Sequence, residues 1–261
     1  MSLSDTFLKN KLALSFEFFP PKTEKGEQGL YRHVERLMEC TPDFVTCTYG
    51  AGGSTRDKTL EIVGNIKRQF AVPVASHLTV VDNTVQQLQD YLQQSTEQGI
   101  DYIVALRGDP PKAAEHFVPT VGGLRYANEL VELIHQQYPN FGVAVAGYPE
   151  VHREAPSAED DLINLKRKVD AGADIIITQL FYMNDDFFRF CDRCRAMGIQ
   201  VPIVAGLLPV ISLKQIQRIA GLCGAKLPQP FIDRLSKHED PQWQFQVGVE
   251  QSVNQTQSLL E

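Results

Sequence analysis

The 261-residue chain lacks the marks of several large classes of protein. No stretch approaches 18 consecutive apolar residues, so no membrane-spanning helix is predicted. The opening MSLSDTFLKNKLALSF has neither a long apolar core nor a small-residue cleavage site, which argues against a secretory signal. Long runs of Lys or Arg are absent: 25 bases stand against 32 acids, a formal charge of −7, so there is no extended face for neutralising phosphates. The expectation is a soluble, cytoplasmic protein that binds neither nucleic acid nor membrane. Cysteines are few and odd in number, and Cys40, Cys47 and Cys223 sit among apolar neighbours, which predicts reduced thiols rather than a disulfide framework. The six histidines show no His-x-x-x-His or His-Glu-x-x-His spacing, so no catalytic metal is expected. Cys191-Asp192-Arg193-Cys194 has no second pair of ligands and reads as helix packing. A Gly-x-Ser-x-Gly elbow is missing, against serine-hydrolase chemistry, and no Gly-x-Gly-x-x-Gly follows the first strand, against an open dinucleotide-binding sheet.

What is present is a repeat. Short apolar runs rich in β-branched residues recur at 13–19, 43–49, 72–78, 102–108, 142–148, 175–181 and 201–208, with helically spaced segments between them. Helical stripes include Leu60/Val63/Ile66, Val85/Leu88/Tyr91/Leu92 and Leu162/Leu165/Val169. Gly99, Gly172 and Gly198 stand where left-handed helix ends are wanted. A last amphipathic segment carries Phe245, Val249 and Val253 at steps of four. Seven strands, each followed by a helix, predict an α/β protein built as an eight-fold βα (TIM) barrel, with the eighth strand missing from this chain. No linker divides residues 1–261, which are read as one catalytic barrel domain cut short at its C-terminus.

In such barrels the chemistry lies at the carboxyl ends of the strands. Glu17 is flanked by Phe16, Phe18 and Phe19, and a carboxyl enclosed by aromatics favours its protonated form, the condition for a general acid; a structural carboxylate paired to a base is the competing reading. Arg107-Gly108-Asp109 places opposite charges at a strand end around a glycine that admits a ligand closely, or forms an internal salt bridge. Asp161, Asn164 and Lys168 share one polar helix face, which on spacing alone reads as solvated. The Gly-rich loop 50–55 lacks a P-loop ending but can present amides to a phosphate or ring.

Taken in order, the words Ser-Phe-Glu-Phe-Phe-Pro-Pro-Lys (15–22), Thr-Tyr-Gly-Ala (48–51), His-Leu-Thr (77–79), Ala-Leu-Arg-Gly-Asp (105–109), Tyr-Pro-Glu-Val-His (148–152), Asn-Leu-Lys-Arg-Lys-Val-Asp-Ala-Gly-Ala (164–173) and Ile-Thr-Gln (177–179) resemble the methylenetetrahydrofolate reductase family, in its bacterial, barrel-only form. The resemblance implies an oxidoreductase of one-carbon metabolism and methionine biosynthesis. In this family a nicotinamide cofactor, NADH or NADPH, reduces bound FAD and leaves; 5,10-methylenetetrahydrofolate then takes its place and is reduced to 5-methyltetrahydrofolate. It further implies that Glu17 is the acid and Asp109 the carboxylate between flavin and pterin, with Gln179 and Gln215 as further substrate contacts. FAD contacts carried over are Tyr49, Ala51, His77, Arg107, Gly108, Asp109, Ala127, Tyr148, His152, Ala155, Asp161, Asn164, Arg167 and Lys168, with Thr48 as a nicotinamide contact. The 161–168 helix face is thereby reassigned from solvent to flavin. The family assembles into homo-oligomers, and NADH is the expected donor. A noncatalytic barrel that holds flavin or folate is the alternative, against which Glu17, Asp109 and Gln179 speak.

Overall fold

The computed structural model describes residues 3, 7, 12–21, 23–48, 56–109 and 117–261, with the backbone alone at 56–57. Its elements alternate as the repeat predicts: β1 (Ser15–Phe18), α1 (Glu24–Met38), β2 (Phe44–Cys47), α2 (Arg56–Phe70), β3 (Val74–Thr79), α3 (Val85–Glu97), β4 (Tyr102–Leu106), α4 (Ala127–Gln137), β5 (Gly142–Gly147), α5 (Ala158–Asp170), β6 (Ile175–Thr178), α6 (Asn184–Ala196), β7 (Ile203–Val204) and α7 (Leu213–Cys223). Two helices follow, α8 (Gln229–Ser236) and α9 (Pro241–Leu260). All seven expected strands are present, in chain order through one sheet. Every strand pairing described is parallel.

Local chemistry sets the helix ends. Thr84 caps α3 by accepting from the Gln87 amide, and the Gln87 side chain accepts from the Thr84 amide, a reciprocal capping box. The helix then buries Leu88, Tyr91 and Leu92 and stops at Gly99, whose φ of 71° is open to glycine at little cost.

The described residues fall into two compact units, 1–145 with 167–175, and 146–166 with 176–261. In the first, register places Glu17, Thr46 and Ala75 on one face of the sheet, with His77 two residues further along that face. The opposite face meets the helices: Ser76 Oγ lies 2.5 Å from the hydroxyl of fully buried Tyr91 of α3. One device recurs at the amino ends of the strands. Asp43, Asp101 and Asp174 each precede an even-numbered strand, and each carboxylate accepts an amide at the start of the strand before it, from Leu14 at 2.8 Å, Val74 at 2.8 Å and Val143 at 2.7 Å. Each of these aspartates returns the bond through its own amide, to the carbonyl of the same residue. Asp101 also pairs with Lys67 Nζ at 2.6 Å.

In the second unit Tyr182, Val210, Ile216, Phe231, Leu235 and Val247 form a core between α7, α8 and α9. The final segment is helical as expected, but with its faces exchanged. Phe245, Val249 and Val253 are exposed, whereas Val247 and Gly248 are buried. A Cβ on Gly248 would stand 1.9 Å from the Val210 carbonyl oxygen, so the helix approaches through its smallest residue rather than through its apolar stripe.

Candidate active site

Those expected site residues that are described lie in or beyond the carboxyl halves of their strands and on the helices that follow. In the first unit Glu17 is third in β1, and its Oε2 is 3.3 Å from Nε2 of His77 on β3. The side chain of Glu17 keeps 42% of its exposure and that of His77 only 11%, so the carboxyl stands in the open beside a buried imidazole. This corrects the aromatic enclosure expected from the sequence: of its neighbours, Phe18 is buried on the other face and Phe19 is exposed. His77 Nε2 has no hydrogen-bonded partner, the Glu17 contact being too poorly aligned, and the hydroxyls of Thr46 and Thr79 are likewise buried and unpartnered. Cys47, one residue before Thr48, is no nucleophile. Burial, with a smaller contribution from the Glu17 charge, pushes its thiol up to about 12.

Thr48 donates its amide to the Phe18 carbonyl at 2.8 Å and accepts from the Thr59 hydroxyl at 3.0 Å, which fixes the end of β2 beside that of β1. Tyr49 and Ala51 lie outside the described residues. At the end of β4, amides of Val80 and Val81 donate to the carbonyls of Leu106 and Arg107, carrying the pairing past both strands. Gly108 follows at φ 88°, and a Cβ there would meet Val81 Cγ1 at 2.5 Å. No other residue fits. Arg107 Nε donates to the Gly108 carbonyl and its guanidinium lies 5.0 Å from the centre of the Phe117 ring, while Asp109 is exposed. Ala127 opens α4, where Glu129 accepts the amides of Arg125 and Tyr126.

In the second unit the Tyr148 and His152 rings meet edge to face, 4.6 Å apart, just beyond β5. The His152 amide donates to Asp161 Oδ2 on α5 at 3.0 Å, and its Nδ1 accepts from the Glu154 amide at 3.1 Å. Asp161, expected to hold a flavin hydroxyl, therefore uses one oxygen to staple the Tyr148–His152 loop. Ala155 donates its amide to the His152 carbonyl and closes that loop. Asn164, Arg167 and Lys168 continue along α5, with Lys168 half-buried. Gln179 follows β6; its amide donates to the Gly147 carbonyl, and its side-chain oxygen accepts from the Leu180 amide at 2.9 Å. Gln215 sits in the first turn of α7, donating its amide to Ser212 Oγ and accepting from the Ile211 amide.

A profile of the family "Methylenetetrahydrofolate reductase" matches residues 2–261. The chain belongs to the methylenetetrahydrofolate reductase family. A 5,10-methylenetetrahydrofolate reductase of Pectobacterium carotovorum subsp. carotovorum is 42% identical over 255 residues, which is 97% of this chain and 83% of that protein. Methylenetetrahydrofolate reductase (NADH) 1 of Zea mays is 42% identical over 240 residues, 88% of this chain, but the match spans only 40% of the maize protein. Among solved structures, a Clostridium thermocellum protein described as binding two copies of 5-methyl-5,6,7,8-tetrahydrofolic acid superimposes with a TM-score of 0.67 at 17% identity, covering 99% of this chain and 86% of that one. At that identity the likeness is one of fold.

Within this reductase-family chain, the word at 177–179 already brings in Thr178, whereas sequence reasoning missed Thr46 and Thr79. Each is a buried polar residue in or ending an apolar strand, and Thr178 Oγ1 accepts the Gly206 amide at 2.9 Å. Strand alternation was the available signal, since it places Thr46 opposite Glu17. Among the described residues no group of three or more His, Cys, Asp or Glu is placed to hold a metal, and no helix is long and apolar enough to cross a membrane. In the Cys-x-x-Cys word Cys194 is buried, and burial pushes its thiol up to about 12, in keeping with packing.

Proposed function

We propose that this chain is a flavoprotein oxidoreductase that reduces 5,10-methylenetetrahydrofolate to 5-methyltetrahydrofolate with NAD(P)H, in two alternating half-reactions of ping-pong form. The observation that carries the reading is 42% identity to a bacterial reductase across 97% of the chain. It is supported by a carboxyl in the open at a strand end, where that family's acid stands. The seven strands are then the first seven of an eight-fold βα barrel. The maize relative's name supports NADH as donor.

The residues suit FAD. His77 Nε2 and the Thr46 and Thr79 hydroxyls are buried polar atoms in want of a partner, and Gly108 leaves backbone where a Cβ would not fit. By the family resemblance, the residues that would hold it are His77, Arg107, Gly108, Tyr148, His152 and Asn164, with Arg167 and Lys168 on α5 suited to its phosphates. Bound FAD would supply the hydride-transfer chemistry that links the NAD(P)H and folate half-reactions. Glu17 gives a proton to the folate ring nitrogen, which opens the five-membered ring to the iminium that accepts hydride. Asp109 keeps negative charge near that cation, and Gln179 and Gln215 orient the pterin, with Thr48 serving the nicotinamide. We further propose a cytoplasmic homo-oligomer in one-carbon metabolism.

The test is the visible absorption spectrum of the purified protein after FAD reconstitution, before and after anaerobic NADH, followed by methylenetetrahydrofolate. Flavin bands that bleach with NADH and return with folate, yielding 5-methyltetrahydrofolate, are expected. A protein that cannot retain FAD would sink the proposal, and one that retains it without turnover would be a holder only.

A further inference from the structure

Loop 148–155 carries Tyr148 and His152, and its backbone is strained at the centre. Val151 has φ 82°, a region that β-branched residues avoid because Cβ crowds the neighbouring carbonyl. Such a conformation persists only where surrounding bonds over-determine it, and here bonds grip the loop on both sides. Before Val151, the Pro149 carbonyl accepts from Arg193 Nη2 of α6 at 3.5 Å, and Glu150 Oε2 accepts from the Lys226 amide at 2.8 Å. After it, the His152 amide is taken by Asp161.

Arg153 completes the grip. Its Nη1 donates to the carbonyls of both Gly221 and Leu222, each at 3.0 Å. These carbonyls belong to the last turn of α7, where acceptors lack intrahelical partners and the helix dipole is negative, so a guanidinium is the favoured occupant. The fit extends to the arginine stem. Gly224, which ends α7 at φ 78°, would with a Cβ stand 3.0 Å from Arg153 Cγ and 3.2 Å from Cδ. Glu150 and Arg153 thus engage the same end of α7 and its continuation, one through a carboxylate and the other through a guanidinium.

We infer that Arg153, seconded by Glu150, is a positioning residue that clamps loop 148–155 to the C-terminal end of α7, the helix whose first turn bears Gln215. Neither side chain needs to touch a ligand. The clamp holds the strained loop in the conformation in which Tyr148 and His152 face flavin, and it ties that loop to an element assigned to substrate. The inference rests on the proposed flavin role of Tyr148 and His152, but the clamp itself is testable without it.

The experiment is amide hydrogen exchange on the FAD-free full chain, with FAD affinity by flavin fluorescence quenching, for the unaltered protein, Arg153→Ala and Arg153→Lys. The Val151 and Ala155 amides, which donate within the loop to Tyr148 and His152, report on it, and the β6 amides serve as the reference for overall stability. Arg153→Ala is expected to speed exchange at the loop amides about tenfold relative to β6 and to weaken FAD binding about tenfold, as expected from losing a charged hydrogen-bonding group. Arg153→Lys, which keeps a cation over the helix end, restores a substantial part of both. Loop exchange in Arg153→Ala within twofold of the unaltered protein overturns the clamp, as does an increase no greater than that at β6. If the unaltered protein binds no FAD, the proposed function falls while the exchange result still decides the clamp.

Discussion

The side chain of Glu17 stays nearly half exposed within β1. Three phenylalanines surround it in the chain, yet alternation along β1 turns Phe18 to the helix side and leaves the carboxyl on the other face with Thr46 and His77. Its company is a ring nitrogen at 3.3 Å rather than apolar surface. As the proposed proton donor it is needed only when folate is reduced. Glu17→Gln should therefore keep FAD and oxidise NADH at nearly the normal rate, while methylenetetrahydrofolate reduction falls about a hundredfold or more. Stopped-flow measurement of the two half-reactions separates these outcomes, and equal losses in both would remove Glu17 from the acid's role. Asp161 carries a related lesson. Its spacing from Asn164 and Lys168 was legible, but its bond to the His152 amide was not, because a side chain accepting from a distant backbone amide leaves no periodicity in the sequence.

At the scale of elements, the repeat was readable and its orientation was less so. All seven strands appear where β-branched runs announce them, because strands of a largely covered parallel sheet are mostly apolar. The exposed face of α9 was misjudged for an equally physical reason. Hydrophobic spacing at Phe245, Val249 and Val253 ranks residues by what they can bury, whereas packing against Val210 selects the face that comes closest, and Gly248 permits the closest approach. Val247→Ala should therefore cost about 2 kcal/mol, while Val249→Ala stays within about 0.5 kcal/mol. Urea denaturation of the two variants checks this, and the reverse order would restore the apolar stripe as the buried face. The aspartates at 43, 101 and 174 were open to discovery, since each stands immediately before an apolar run. What concealed them was that their partners lie on the preceding strand, about 30 residues back.

For the molecule as a whole, partly buried Asp174 links folding to pH. Burial raises Asp174 above the ordinary aspartate value, opposed in smaller measure by the Val143 amide and by His135. A carboxyl raised on folding favours the native state when protonated. That contribution is complete below its ordinary value near 3.8 and is lost as pH climbs through the raised one. Asp174→Asn keeps an acceptor for the Val143 amide and never ionises. Its stability relative to the unaltered chain should rise between about pH 4 and about pH 8, as urea midpoints at both would show. A difference independent of pH would mean that the carboxylate is paid no such penalty by its surroundings.

The division of the chain into units also bears on its synthesis. The first unit takes residues 1–145 and then 167–175, with part of the second threaded between them in the sequence. On the ribosome, the first unit must wait for roughly thirty further residues, a delay of about 2–6 s at ordinary translation rates. Through that interval β5 has emerged without Asp174, whose carboxylate takes the Val143 amide in the finished fold. The nascent chain thus passes through a stage at which a sheet edge is open, and there a chaperone or a neighbouring nascent chain can pair with it.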